Sequence, residues 1–436
     1  MIMSQATIDP AKLDEVLGGI TPDRLMELTV MLVDVASPTG GELPLARVIG
    51  TLLTKMGLES HVQPIDDRQG SAWGRLRSTR TGPDLLLYAP IDTLSSGDAA
   101  HDLPWAGEVM ADHMWPQALV DGDVIRGLGA MNPKGHAACV LAAAEVLAAA
   151  AVPLTGDVLV AFGAGGMPAN ADPGSDRQHI GQGVGASFLL EQGVWADQAL
   201  IAKSHWAVSR QEVGLAWVDV TVHGLHSYVG ARHRIDYRNP IGEAAGLVQR
   251  LEAWLRDTYP RDHTTGEVAP QGVVSAIDGG LPQVAATVPA SCRLRLDLRL
   301  APDQSPLSAR REVAAVVEEW ADKTGVRTDV ELALAIPGSQ TPADAPVVQA
   351  CIAAWEREEG RDHTAPTGQS GATDANILRN RGIPTARIGL PKVQVDGGEL
   401  DFAAGMNTVT ADSMVRLTRV LVHTALILCS STKETT

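Results

Sequence analysis

Four cysteines, Cys139, Cys292, Cys351 and Cys429, are the first candidates for metal or redox chemistry. They are scattered singly, without the paired spacing of a thiolate zinc site or a disulfide framework. Imidazoles at His101, His113 and His136 offer nitrogen ligands, but none stands at the i, i+4 spacing that puts two ligands on one helix face. Ser204 and His205 have the side chains of a nucleophile and its base. Adjacent positions on a strand point to opposite faces, however, so they make poor partners. The run GLGAMNPKG, Gly127 to Gly135, has the glycines of a phosphate loop but not its closing Lys-Ser/Thr, which argues against nucleotide binding. None of these groups carries a mechanism by spacing alone.

The elements that would position a site are easier to read. Helical periodicity covers Pro22 to Val35 and Leu43 to Met56, with Gly57 as a stop signal. Buried-strand runs span Asp84 to Ala89 and Gly156 to Phe162, and Leu200 to Ala202 ends a third. A helix from His136 to Ala150 follows the glycine loop, and Gly163 to Gly185 reads as a long loop. This order implies βαβ units and a mostly parallel sheet. From Val213 the texture changes to strand, helix, two strands, helix, strand: Ala216–Val222, Pro240–Arg256, Val273–Ile277, Ser291–Leu300, Leu307–Thr324 and Arg327–Leu334. That is the βαββαβ pattern of a two-layer, ferredoxin-like α+β unit. The α/β pattern resumes with a helix at Val347–Glu359, a loop at Gly368–Asp374, a strand at Thr385–Gly389 and a helix at Ala411–Leu428. The expected organisation is therefore a discontinuous α/β domain, residues 1–212 and 338–436, with an α+β domain inserted at 213–337.

With 436 residues, 45% of them apolar, the chain has ample material for packed cores, mainly aliphatic because aromatics make up only 4%. A formal net charge of −17 disfavours nucleic-acid and membrane-surface partners. Met1 to Asp14 carries no basic stretch followed by an apolar run, and the Ala-rich stretch Ala137 to Pro153 is too short and mild to span a bilayer. A cytoplasmic protein with a small-molecule substrate is the expectation.

Several segments, in order and spacing along almost the whole chain, resemble the di-zinc exopeptidases that include aminoacylases, desuccinylases, carboxypeptidase G and N-carbamoyl amino acid hydrolases. They are Ser37-Pro38-Thr39-Gly40 with Glu42, LLLYAPIDT at Leu85–Thr93, GLGAMNPKGH at Gly127–His136, VHGLHS at Val222–Ser227, the Gly279–Pro289 segment, LDLR at Leu296–Arg299 and GATDA at Gly371–Ala375. The resemblance implies a zinc-exopeptidase-like catalytic domain and a smaller lid domain that forms a homodimer. It also implies two cations about 3.5–4 Å apart that grip an amide oxygen and generate hydroxide.

Residue by residue, the ligands that the resemblance implies are absent. The His-x-Asp pair becomes Pro90-Ile91-Asp92, and the bridging Asp becomes Asn132. The Glu-Glu pair falls on Gly165-Gly166, the next carboxylate falls at Lys203, and no His stands in Asp401 to Asn407. An ammonium in a ligand slot repels a dication. No metal and no other cofactor is expected. The resemblance leaves Asp92 without the His it would orient, so it is free for another role. His226 matches a lid His that steadies the oxyanion across the dimer, Arg299 a lid Arg on the substrate carboxylate, and Gly371 the start of a loop supporting that group. Asp92, Asn132 and Lys203 together stay near neutral, as a buried pocket requires. Lys203 is expected to supply electrophilic pull, and Asp92 to act as base or nucleophile, in a metal-independent hydrolysis of a C–N bond. The substrate class is a small, carboxylate-bearing amide, imide or ureido compound. Three alternatives stand beside this: a buried Asp92–Lys203 ion pair without chemistry, a binding module of the same fold, and a di-zinc amidohydrolase with displaced ligands. For Asn132 the alternative is a loop-stabilising Asx residue. Asp374 reads as structural, and Lys134-Gly135 as holding the loop-to-helix turn.

Overall fold

The computed structural model describes residues 8–150, 152–171, 175–177, 179–203, 205–395 and 398–430. Ser204 lies outside them, as do parts of the Gly163–Gly185 stretch and of the Met1–Asp14 stretch. The strands of the two main sheets are, in chain order, β1 (Glu59–Pro64), β2 (Gly70–Leu76), β3 (Leu85–Pro90), β4 (Val158–Gly163), β5 (Gln198–Ala202), β6 (Gly214–His223), β7 (Gly272–Asp278), β8 (Ser291–Leu300), β9 (Thr328–Ile336) and β10 (Thr385–Ile388).

The chain divides into two compact units. The first comprises residues 1–210, 341–365 and 373–436, and the second residues 211–340 and 366–372. The first unit is a mixed α/β layer structure on a six-stranded sheet of order β1-β2-β4-β3-β5-β10. Strands β4, β3, β5 and β10 run parallel, and β2 and β1 add antiparallel at one edge. Because strand side chains alternate faces, the apolar runs feed two cores. Leu85, Leu87, Ala89, Val160 and Phe162 pack with helices Pro22–Val33, Lys134–Ala149 and Ala411–Cys429. On the other face, Leu86, Tyr88, Leu159, Ala161 and Ile201 pack with Val184–Glu191 and Ala375–Asn380. Proline in the first turn and a side-chain cap start helix Pro22–Val33, where Thr21 accepts from the Arg24 amide.

The second unit is a four-stranded antiparallel sheet of order β7-β8-β6-β9 with helices Pro240–Asp257 and Pro306–Thr324 packed on it. This is the ferredoxin-like arrangement of a βαββαβ chain. Alternation is regular: Val218, Val220, Val222, Leu294, Leu296 and Leu298 face the helices. The opposite face carries Asp219 and Arg295, joined by two 2.7 Å hydrogen bonds. Residues 366–372 join this unit because Gln369 bridges to Val268.

Strands β1 and β2 and the helix Pro10–Leu17 are additions to the sequence reading. The third strand begins at Gln198, the helix after the glycine loop at Lys134, and part of the Gly163–Gly185 stretch is taken by the helix Val184–Glu191.

Candidate functional site

In the first unit, β3 connects onward to β4 on one side, while β5 leads to β10 on the other. The crevice beyond the carboxyl ends of β3 and β5 is thus a topological switch point, the usual ligand position in an open parallel sheet. Asp92 follows β3 and Lys203 follows β5. Tyr88 pairs with Ile201, so Lys203 falls level with Pro90, two residues before Asp92. The loop carrying Asn132 leads into helix Lys134–Ala149.

The structure does not leave Asp92 free. Its side chain is fully buried. Oδ1 accepts from the Gly166 amide (2.8 Å), and Oδ2 accepts from the Met167 amide and the Thr39 hydroxyl (2.8 Å each). The preceding Gly165 amide donates to Glu42 Oε1 at 2.8 Å, as does Gly40 at 2.9 Å. Three consecutive amides of one turn therefore face two carboxyl groups, a nest filled by the chain's own acids. Glycine is required here: a Cβ on Gly166 would lie 2.9 Å from Pro90 Cβ, 3.0 Å from Asp374 Oδ2 and 3.1 Å from Asp92 Oδ1. Tyr88 donates to Asp374 Oδ2 at 2.6 Å, beneath the same turn.

Burial, and then the Asp92 charge, push the Glu42 carboxyl up to about 8, against the pull of the Gly40 and Gly165 amides. Burial and the neighbouring Asp374 hold the Tyr88 phenol well above its ordinary range. Glu42, Thr39 and Tyr88 had no role in the sequence reading. The available signal was a Glu two residues after Gly40, flanked by apolar positions with no cation beside it.

On the Lys203 side the charges are positive. Lys203 is 7% exposed, and its backbone amide bonds Ile388 O at 3.0 Å. Burial first, then the nearby charges of Lys203 and Arg387, push the His136 imidazole down to about 3. Its Nε2 accepts from the Leu390 amide at 3.2 Å, so this lone pair is taken and the ring is neutral. Lys134 is fully buried; its Nζ donates to Val35 O (2.8 Å) and Val33 O (3.4 Å), closing the end of helix Pro22–Val33. Burial lowers this amine to about 7.

The remaining expected site residues lie in the second unit. His226 is exposed, and its Nδ1 donates to Val288 O at 2.7 Å. In that tautomer Nε2 is an acceptor when neutral and donates to an oxyanion only as imidazolium. Arg299 is engaged with Asp297, through Nε (2.7 Å) and Nη2 (3.3 Å). Gly371 is exposed within the 366–372 segment.

A pair of catalytic cations needs several imidazole nitrogens and carboxylate oxygens with open lone pairs. The switch point presents Pro90, an asparagine, two glycines and a lysine, the Asp92 oxygens accept from the chain itself, and His136 Nε2 is occupied. Among the described residues, no group of three or more His, Cys, Asp or Glu side chains is arranged to hold a metal ion. Among the described residues, the donors at the switch point do not fit a two-cation centre.

Comparison with known proteins places the architecture. A family model described as a peptidase dimerisation domain matches residues 210–325. Among solved structures the chain is similar to human carnosine dipeptidase 1, with 15% identity and a TM-score of 0.71 over 97% of this chain and 99% of that one. It is similar to a Bacillus subtilis dinuclear metal-binding peptidase from the M20 family, with 14% identity and a TM-score of 0.63 over 93% and 98%. A Burkholderia ambifaria hydantoinase/carbamoylase family amidase gives 14% identity and a TM-score of 0.60 over 96% and 99%. The fold is that of these enzymes, an α/β catalytic-type domain with a dimerisation-type α+β domain. Among the described residues no helix is long and apolar enough to cross a membrane.

Proposed function

We propose that this chain hydrolyses a C–N bond in a small, carboxylate-bearing amide, cyclic imide or ureido compound, without a metal ion. The observation that carries the reading is the placement of Asp92 and Lys203 at the carboxyl ends of adjacent parallel strands, on either side of the switch point. The Lys203 ammonium faces the substrate carbonyl and stabilises the negative charge that develops on its oxygen. Asp92 Oδ1 accepts one amide bond and retains a lone pair for the proton of the attacking water. Water adds to the carbonyl carbon, the C–N bond breaks, and the nitrogen leaves with a proton. The inserted unit is the part that pairs two copies, and within it His226, Arg299 and the Gly371 loop are the candidates for holding an oxyanion and a carboxylate.

A second reading, a binding protein that does no chemistry, is favoured by one observation: three donors already hold the buried Asp92. The deciding experiment is a turnover screen of N-acyl and N-carbamoyl amino acids and cyclic ureides, run with and without excess chelator. Turnover that survives chelator and is lost in both Lys203→Met and Asp92→Asn supports the proposal. Full turnover in both variants refutes it. No turnover, with saturable binding, selects the binding protein; activity lost to chelator and restored by zinc returns a di-zinc enzyme with other ligands.

A further inference from the structure

Helix Lys134–Ala149 has 16 residues, and its N-cap, Pro133, offers no side-chain acceptor. Its first turn holds no acidic residue, so the positive end of the helix dipole is left uncompensated by side chains. One residue ahead of the cap stands Asn132, 6% exposed. Its Nδ2 donates to Met406 Sδ at 3.4 Å, and its buried Oδ1 has no hydrogen-bond partner among the described residues.

The loop around Asn132 is firmly held. The amides of Met131 and Asn132 bond Met406 O at 3.1 and 3.0 Å, Gly129 bonds Asn407 Oδ1 at 2.7 Å, and Lys134 bonds Gly129 O at 2.9 Å. An unpaired buried acceptor is costly, and an ordered loop that keeps one is built for a donor from elsewhere. Its position suits a ligand at the switch point. On one side Gly129 abuts Thr93, the neighbour of Asp92; a Cβ there would lie 2.8 Å from Thr93 Cγ2. On the other, His136 Nε2 accepts from the Leu390 amide at 3.2 Å, two residues beyond Ile388, whose carbonyl holds the Lys203 amide at 3.0 Å.

We infer that Asn132 and this helix N-terminus form a subsite that reads both halves of a secondary amide. Asn132 Oδ1 accepts the substrate N–H, while the helix end and the Lys203 ammonium face its carbonyl oxygen. The inference rests on the amide reading above and narrows it: substrates keep a hydrogen on the scissile or adjacent nitrogen. Esters, lactones and N-alkylated amides lack the donor that Oδ1 requires.

The test is calorimetric titration of the full chain with hydantoin-5-acetate and its 1,3-dimethyl analogue. Wild type is expected to bind the parent compound at least tenfold more tightly. Asn132→Leu is expected to erase that difference. Asn132→Asp, still an acceptor, is expected to keep it. Thermal melting supplies an independent readout, because Asn132→Leu removes an unpaired acceptor and is expected to melt no lower than wild type. Equal binding of the two compounds, binding of neither, discrimination that survives Asn132→Leu, or a clear fall in its melting temperature each overturns the inference. Turnover without N–H discrimination removes this subsite and leaves the hydrolase; discrimination without turnover does the reverse.

Discussion

Glu42 offers a sharp test of the electrostatics beneath the switch point. The side chain is fully buried, Oε1 accepts from Gly40 and Gly165, and Oε2 has no partner among the described residues. Burial and the Asp92 charge raise the carboxyl from 4.5 to about 8. In that interval the folded chain holds a proton that the unfolded chain has lost. Stability from this group is therefore complete below about pH 4.5 and declines as pH rises toward 8. The window spans about 3.5 pH units at about 1.4 kcal/mol per unit. The whole effect is on the order of 5 kcal/mol, comparable to the net stability of a domain.

Glu42→Gln keeps an oxygen for the Gly40 and Gly165 amides and replaces the protonated oxygen with a neutral NH2. It should therefore behave as a permanently protonated Glu42. Absolute stabilities also contain Lys134, whose lowered value of about 7 makes stability rise with pH from there to its ordinary range. The readout is thus the difference between variant and wild type, in which Lys134 cancels. Chemical denaturation at intervals from pH 5 to 8.5, followed by circular dichroism, should show the variant gaining on wild type by about 1.4 kcal/mol per pH unit and levelling off above about 8. A difference that does not change with pH would mean that Glu42 is ionised in the fold, and the account of this cluster would fail.

Three further outcomes follow from the same geometry. Tyr88→Phe deletes the 2.6 Å bond to buried Asp374 and should cost about 2 kcal/mol in denaturant midpoint analysis; no measurable loss would mean that the bond does not hold the turn. Gly166→Ala forces a methyl against Pro90, Asp374 and Asp92 and should cost about 1–3 kcal/mol, with equal stability contradicting the close packing. The purified chain dialysed against zinc should retain no stoichiometric metal by elemental analysis, because Asp92 and His136 already accept bonds from the backbone. Two zinc ions per chain would refute the donor argument.

What the sequence conveyed follows from what apolar patterning encodes. Strands β3 and β4 are apolar throughout because helices cover both faces, and such runs announce themselves. In the inserted unit, one-sided burial imposes the alternation visible in SCRLRLDLRL. Strand β1, ESHVQP, escaped notice because this edge strand carries polar side chains, and β2, GSAWGRL, because its two glycines interrupt any apolar run. The site was legible to the same degree. Residue types placed Asp92, Asn132 and Lys203 at loop ends. They could not show that Asp92 is held by amides, since Gly165, Gly166 and Met167 contribute only their N–H groups. A backbone donor has no letter in the sequence.

The switch point is set by strand order, which depends on the apolar runs and not on the polar residues at their ends. Glycine at two positions of this turn does more than leave out a side chain. At Gly165, with φ of +62°, and at Gly166 it lets the main chain turn its amides inward, where any Cβ would collide. The buried acids that remain are then stabilised by N–H dipoles and by a proton on Glu42, at no cost in side-chain entropy. Positive charge stands at Lys203, after β5, and at Arg387, in the neighbouring β10. The carboxyl groups here are thus held by backbone amides, while Lys203 and Arg387 supply positive charge nearby. In the proposed reaction Lys203 is the cation that meets the substrate carbonyl. Exchanging it for glutamate should abolish binding of hydantoin-5-acetate in calorimetry, whereas unchanged affinity would place the ligand elsewhere.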